Sequence, residues 1–132
     1  KAIMWNRLRK LDGEPTIIVA TYIPYKFCPE LLDEDMTNRS LYKFLKENGL
    51  EVENGKRFIE AVTANSKEAD LLGVKKGSPL ILIESISYLK DGRPLEYFKA
   101  VHRGDKCRLV VNLRRDTTYR GKNVGRIINI KS

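Results

Sequence analysis

Two arginines, Arg7 and Arg9, lie two residues apart in a segment of alternating polarity at residues 2–11. In a β-strand, residues at i and i+2 project from the same face, about 7 Å apart. Two guanidinium groups at that distance can bind one phosphate or carboxylate from two sides, because each presents a planar fork of N–H donors. The alternative interpretation is a pair of solvated surface arginines.

A serine, Ser40, falls in the first turn of a helix that the apolar spacing predicts over residues 39–48. Its hydroxyl and the free backbone amides of that turn would lie at the positive end of the helix dipole. A serine in this place also commonly serves as a local cap. If Ser40 and the arginine pair converge, they form an anion site, but the sequence does not fix that convergence.

A carboxylate and an imidazole, Glu96 and His102, share one face of a predicted strand with Phe98 and Ala100. Both polar groups cost free energy when they are buried without partners. They are therefore either satisfied structurally, with Glu96 paired to a basic neighbour, or they line a polar pocket in which they read sugar hydroxyls. Both interpretations stay open.

The two cysteines, Cys28 and Cys107, have no CxxC spacing, and the chain contains one histidine. We therefore expect no zinc site and no cofactor. Both thiols are interpreted as free in a reducing compartment. No local motif supports a nucleophilic cysteine with His102 as its base.

The positive charge of the chain is concentrated at its two ends. The net charge is +8, residues 1–10 hold four basic residues and no acid, and residues 114–132 hold six basic residues and one acid. A basic end can contact nucleic acid, although a solvated tail explains the same composition. No apolar run approaches the roughly 20 residues of a membrane helix, so we expect no membrane partner. We expect no signal peptide either.

Strand-like and helix-like segments mix along the 132 residues. Asp-Gly pairs at 12–13 and 91–92 predict two hairpin turns, and the shared Asp-Gly-x-Pro motif suggests two related hairpins in one antiparallel sheet. Thr37 or Asn38 is the predicted cap of the 39–48 helix. An α+β fold follows, with strands at 2–11, 16–23, 57–63, 79–89, 95–102 and 106–113 and short helices from Pro29, over 39–48 and over 67–72.

Three motifs carry a family resemblance: Leu72-Gly73-Val74 followed by KGSPL at 76–80, the DGRP turn at 91–94 followed by Glu96, and RGD at 103–105. Together they resemble the effector-binding (UTRA) domain of GntR-type transcriptional regulators of the HutC subfamily. The resemblance runs from about residue 3 to about residue 113. It assigns 1–113 to that domain and leaves 114–132 as a basic extension, which is either a further strand or a partner-binding segment.

The resemblance implies a fold like that of chorismate lyase, in which helices flank an antiparallel sheet that carries a ligand pocket. It implies a cytoplasmic bacterial repressor that acts as a homodimer. A winged-helix DNA-binding domain, absent from this chain, would precede the present one. The family's first strand is expected ahead of Lys1 and would complete the pocket.

Family members that respond to phosphorylated amino sugars use an Arg-x-Arg pair, a serine at a helix start, a tyrosine two residues later, and a glutamate and an aromatic residue on a late strand. The effector-binding residues implied here are Arg7, Arg9, Ser40, Tyr42, Glu96 and His102. Two positions depart from the pattern. His102 replaces the aromatic residue, and Val19 replaces a glutamate, which weakens the case for an amino sugar but not for an anionic ligand.

The leading hypothesis is a domain that binds a small anionic metabolite, with a phosphosugar favoured, and allosterically controls DNA binding. The alternative is an enzyme of the chorismate lyase type, because one fold can carry different functions. Direct DNA binding by the basic tail is a third option, and it predicts salt-dependent affinity of this chain alone.

Overall fold

The computed structural model describes residues 1–36 and 39–115, together with the backbone of 127–131. Five antiparallel strands form one sheet in the order β1-β2-β5-β4-β3. The predicted α+β class with an antiparallel sheet is confirmed. The strands are β1 (Ala2–Leu11), β2 (Glu14–Pro24), β3 (Val52–Thr63), β4 (Pro79–Leu89) and β5 (Pro94–Arg103).

Two hairpins, β1–β2 and β4–β5, lie side by side in the sheet, because β2 pairs with β5. Asp12 and Gly13 both adopt positive φ angles, of 51° and 81°, which gives the tight turn expected of an Asp-Gly pair. Gly92 adopts the same conformation in the second turn, with a φ angle of 88°. The prediction of two hairpins in one sheet is therefore confirmed.

Helix α2 (Ser66–Leu72) packs on one face of the sheet. Asn65 and Glu68 form a capping box at its start, and Gly73 ends it in the left-handed conformation with a φ angle of 65°. The buried residues beneath it are apolar and make up one of two hydrophobic clusters: Ala64, Ala69, Leu72, Leu80 and Val101.

Helix α1 (Leu41–Glu47) and the 3₁₀ turn Pro29–Asp33 belong to the second cluster. The predicted short helix from Pro29 is thus a 3₁₀ turn. Ser40 is the N-cap of α1, and its hydroxyl accepts a hydrogen bond from the Lys43 amide at 3.4 Å. The predicted caps Thr37 and Asn38 lie outside the described residues. The cluster includes Ile3, Ile23, Leu31, Phe44, Leu45 and Leu95.

The chain leaves the sheet after β5, whose two sides are paired with β2 and β4. Residues Gly104–Lys106 form a 3₁₀ turn, in which Arg103 donates to the Asp105 carboxylate. The predicted strand at 106–113 therefore shortens to β6 (Val110–Leu113). It pairs with β7 (Ile127–Lys131) in a separate two-stranded sheet, so part of the 114–132 extension is a strand.

Candidate functional site

The face of the sheet opposite α2 carries a group of polar side chains. Strand pairing places Trp5 opposite Thr21, Thr21 opposite Phe98, and Phe98 opposite Ser85, so these residues form one row across the sheet. Because side chains alternate between faces, every second residue of each strand joins this surface. Its polar members include Arg7, Arg9, Thr21, Arg57, Ser85, Ser87, Glu96 and His102.

Glu96 is the buried centre of this face, with 3% of its surface exposed. The Tyr42 hydroxyl of helix α1 donates a hydrogen bond to its Oε1 atom at 2.8 Å. Burial raises the pKa of Glu96, while hydrogen bonds from Tyr42 and Ser87 and the positive charges of Arg57 and Arg7 act in the opposite direction. The carboxylate is therefore satisfied by hydroxyl groups and faces two guanidinium groups.

Tyr42 holds its proton over the whole physiological range. Burial and the neighbouring Glu96 carboxylate both raise the pKa of its hydroxyl. The tyrosine therefore remains a hydrogen-bond donor to Glu96, and it couples helix α1 to strand β5.

The two arginines of β1 lie next to each other, as their spacing predicts. The Arg7 guanidinium stacks on the Trp5 ring, with Cζ 3.9 Å from the ring centroid. Burial and the adjacent charge of Arg9 lower the pKa of Arg7, while Glu96 acts to raise it. Two like charges held side by side repel each other, so an anion that binds between them is stabilised by both and offsets their repulsion.

A cleft of about 500 Å³ opens beside the arginine pair. His102 lines it and is 7% exposed, and burial lowers its pKa, so the imidazole is neutral at pH 7 and offers one donor and one acceptor. Burial raises the pKa of Cys107, so that thiol is protonated. The cleft is basic because its lining includes Arg7, Arg9, Lys10 and Lys106.

A comparison with known families identifies the fold. Residues 1–108 match the UTRA domain family. The chain belongs to this family. UTRA domains are the ligand-binding domains of GntR-family transcriptional regulators, so the family resemblance seen in the sequence is confirmed.

Curated relatives share the UTRA domain and extend beyond it. The transcriptional repressor NagR of Bacillus subtilis is 32% identical over 106 residues, which cover 80% of this chain and 43% of NagR. The regulator GmuR of the same species is 32% identical over 111 residues, which cover 83% of this chain and 46% of GmuR. The chain thus spans less than half the length of these relatives.

A solved structure has the same architecture. The effector domain of PhnF from Mycobacterium smegmatis superimposes with a TM-score of 0.74 at 25% identity, covering 80% of this chain and 65% of that one. The sheet and its two helices are therefore those of a UTRA domain. Among the described residues, no helix is long and apolar enough to cross a membrane.

The six predicted effector residues of this UTRA domain fall into three places. Tyr42 and Glu96 are in direct contact, whereas Arg7 and Arg9 line the basic cleft together with His102. The sequence grouped His102 with Glu96, but they lie six residues apart on β5, or about 20 Å in an extended strand. His102 therefore belongs with the arginines.

Ser40 occupies the N-cap of α1 and is exposed. Its observed contact is the capping bond to Lys43, which is the local role weighed for it in the sequence. Convergence of Ser40 with the arginines stays a prediction.

Sequence reasoning missed Arg57, Ser85 and Ser87, all of which lie on the same face of the UTRA domain as Glu96. Arg57 Nε donates to Ser85 Oγ at 2.7 Å. One signal was present in the sequence: Ser85 and Ser87, two residues apart, continue the face that Ile81 and Ile83 begin in a largely apolar strand. Buried hydroxyls at alternate positions indicate a polar surface facing inward.

Proposed function

We propose that this UTRA domain is the effector sensor of a cytoplasmic bacterial transcriptional repressor. Its effector is a small anionic metabolite, with a sugar phosphate favoured, and no reaction is catalysed. The observation that carries the proposal is one polar face with two chemically different parts. Arg7 and Arg9 supply positive charge at one strand, and Glu96 supplies a buried acceptor at another.

The spacing of the two parts suits a ligand that is charged at one end and hydroxylated at the other. Strand β2 separates β1 from β5, and Arg9 aligns across it with His102, about 20 Å along β5 from Glu96. Arg7 lies near enough for its charge to act on Glu96. The arginines bind the phosphate through charge-assisted hydrogen bonds. Glu96 accepts hydrogen bonds from hydroxyl groups, and His102 beside the arginines adds one donor or acceptor.

The names of several relatives support a repressor. They include the repressor NagR, the histidine utilization repressor of Pseudomonas putida and the repressor PhnF of Mycolicibacterium smegmatis. We propose that a winged-helix domain in the same protein binds DNA, and that residues 1–113 of two copies form a homodimer matching a palindromic operator. Effector binding shifts the pair between two arrangements, because the ligand connects α1, β1 and β5.

A thermal-shift screen of sugar phosphates, amino acids and organic acids tests the proposal. At 100 times its dissociation constant, an effector adds about 2.7 kcal/mol to the free energy of unfolding. We expect the stabilising compounds to be anionic and to include a sugar phosphate. Stabilisation by neutral compounds alone, or release of pyruvate from chorismate by the pure protein, contradicts the proposal.

Sedimentation of the protein at tens of micromolar tests the dimer. A longer form that includes the residues expected ahead of Lys1 is the appropriate sample. A monomer alone, in the presence and absence of effector, contradicts the proposed assembly.

A further inference from the structure

The polar face holds a third arginine, Arg57, on the edge strand β3. We propose that Arg57 is a specificity-determining residue, which together with Glu96 binds vicinal hydroxyl groups at the uncharged end of the effector. The inference rests on the proposed function, because it concerns the same site. It adds a contact on the side of Glu96 away from the arginine pair.

The position of Arg57 is fixed by a buried neighbour. Strand pairing sets Arg57 directly opposite Ser85, and Arg57 Nε donates to Ser85 Oγ at 2.7 Å. Ser85 is 6% exposed, so this hydroxyl is anchored within the sheet. The bond uses one of the five N–H donors of the guanidinium, and the four on its terminal nitrogens project beyond it.

Arg57 faces Glu96 without closing on it. Its positive charge acts on both Glu96 and Tyr42, so the guanidinium lies close to this pair. Within the part of the chain that the structure describes, however, no ion pair joins Arg57 to Glu96. A donor and an acceptor therefore lie near each other on one face of the sheet, Arg57 opposite Ser85 and Glu96 opposite Ser87, without an ion pair between them.

The charges on this face decide which chemical groups can bind beside Arg57 and Glu96. Glu96 is the buried acid of this face, and its strand lies between the strands that carry Arg7 and Arg57. A second anion beside Arg57 would be repelled by Glu96. A pair of hydroxyls is different, because one can donate to the carboxylate while the other accepts from the guanidinium.

Titration calorimetry with two kinds of probe tests the assignment. Inorganic phosphate reports the anion site alone, and glucose, mannose and glucosamine 6-phosphates report both ends. We expect Arg57→Ala to weaken the sugar phosphates that bind by about 10- to 150-fold, the range for lost charge-assisted hydrogen bonds. The affinity of this variant for inorganic phosphate should change less than about twofold, because Arg57 lies outside the proposed anion site.

Lys56→Ala is the matched control, since Lys56 is the adjacent residue of β3 and projects from the opposite face. This substitution also removes one positive charge, and it should leave the affinities for both kinds of probe unchanged. Arg57→Lys keeps the charge but loses the planar fork, so it should restore little of the sugar affinity. Ser85→Ala should weaken sugar phosphates alone, because Ser85 is a positioning residue for Arg57.

The outcomes separate this inference from the proposed function. If wild-type protein binds neither phosphate nor any of the sugar phosphates, the proposed function is wrong. If it binds them and Arg57→Ala changes neither probe, or weakens both equally, the assignment of Arg57 is wrong while the anion site stands. A melting temperature of Arg57→Ala close to that of the wild type shows that the variant is folded.

Discussion

The two hairpins of the sheet are structurally equivalent but chemically different. Each turns at an Asp-Gly pair, and each has a register shift shortly before the turn, at Arg9/Lys10 in β1 and at Ser87/Tyr88 in β4. The last pair before the shift is Arg9 with Ile17 in the first hairpin and Ser87 with Glu96 in the second, so these two pairs are equivalent. The arginine positions of β1 thus correspond to serine positions of β4.

In the proposed function, this difference divides the recognition of the ligand between the two hairpins. On the polar face of the first hairpin, β1 carries the arginines, and β2, the strand nearer the other hairpin, carries valine and isoleucine opposite them. The second has hydroxyls on β4 and Glu96 and His102 on β5. Because β2 and β5 pair side by side, the cations of one hairpin and the acceptor of the other lie on the same face of the sheet.

The largest expected difference between the hairpins concerns stability. At each register shift, one residue has no partner on the neighbouring strand of its hairpin. It is Thr16 in the first hairpin and Leu95 in the second, so the two positions are equivalent. Leu95 is 0% exposed in the α1 cluster, so Leu95→Ala should cost about 2–5 kcal/mol through lost burial and a cavity. Thr16→Ala should cost about 1 kcal/mol. Urea unfolding measures both, and equal losses would show that the hairpins contribute equally to the core.

The next largest effect concerns ligand affinity at the equivalent positions Arg7 and Ser85. Arg7→Ala or Arg9→Ala should weaken a confirmed anionic effector about 10- to 150-fold, because each arginine donates charge-assisted hydrogen bonds. Arg9→Lys should rescue this only partly, since an ammonium makes no bidentate contact. Titration calorimetry provides the measurement.

Ser85→Ala is the matched comparison, and it should leave binding of inorganic phosphate unchanged. A loss below threefold for both arginine variants would show that Arg7 and Arg9 do not form the anion site. Neither arginine is buried, and Ser85→Ala removes one hydroxyl from a buried strand position, so the fold should survive in each case.

The smallest expected effect concerns the pH dependence of stability, and it should arise from the second hairpin. Burial raises the pKa of Glu96, so its folded form binds more protons and stability falls as pH rises from about 4.5 through the folded pKa. Burial lowers the pKa of His102, so stability falls as pH drops below about 6.5.

Glu96→Gln removes the first of these two trends and should leave the second. Thermal melts of wild type and Glu96→Gln between pH 4 and 8 measure the change. Identical pH profiles for the two proteins would show that Glu96 does not titrate differently on folding.

Local patterns in the sequence predicted most strands and both helices. Strand β4 has the predicted bounds, and α2 begins one residue before its predicted start, because alternation and helical spacing depend on near neighbours along the chain. Strand β3 begins five residues before its prediction, since residues 52–56 have no alternating apolar pattern and are held by pairing with β4. The strand predicted at 106–113 was too long, because its first residue belongs to the 3₁₀ turn Gly104–Lys106 and pairing begins only at Val110.

The sequence by itself determined which side chains share a strand face: Arg7 with Arg9, and Glu96 with His102. Backbone geometry fixes such neighbours at a spacing of two. Only the tertiary structure decided which of these groups meet. The contact of Tyr42 with Glu96 spans 54 residues, and that of Arg57 with Ser85 spans 28. Such pairs depend on strand order and helix packing, which are set by burial of the whole core rather than by local spacing.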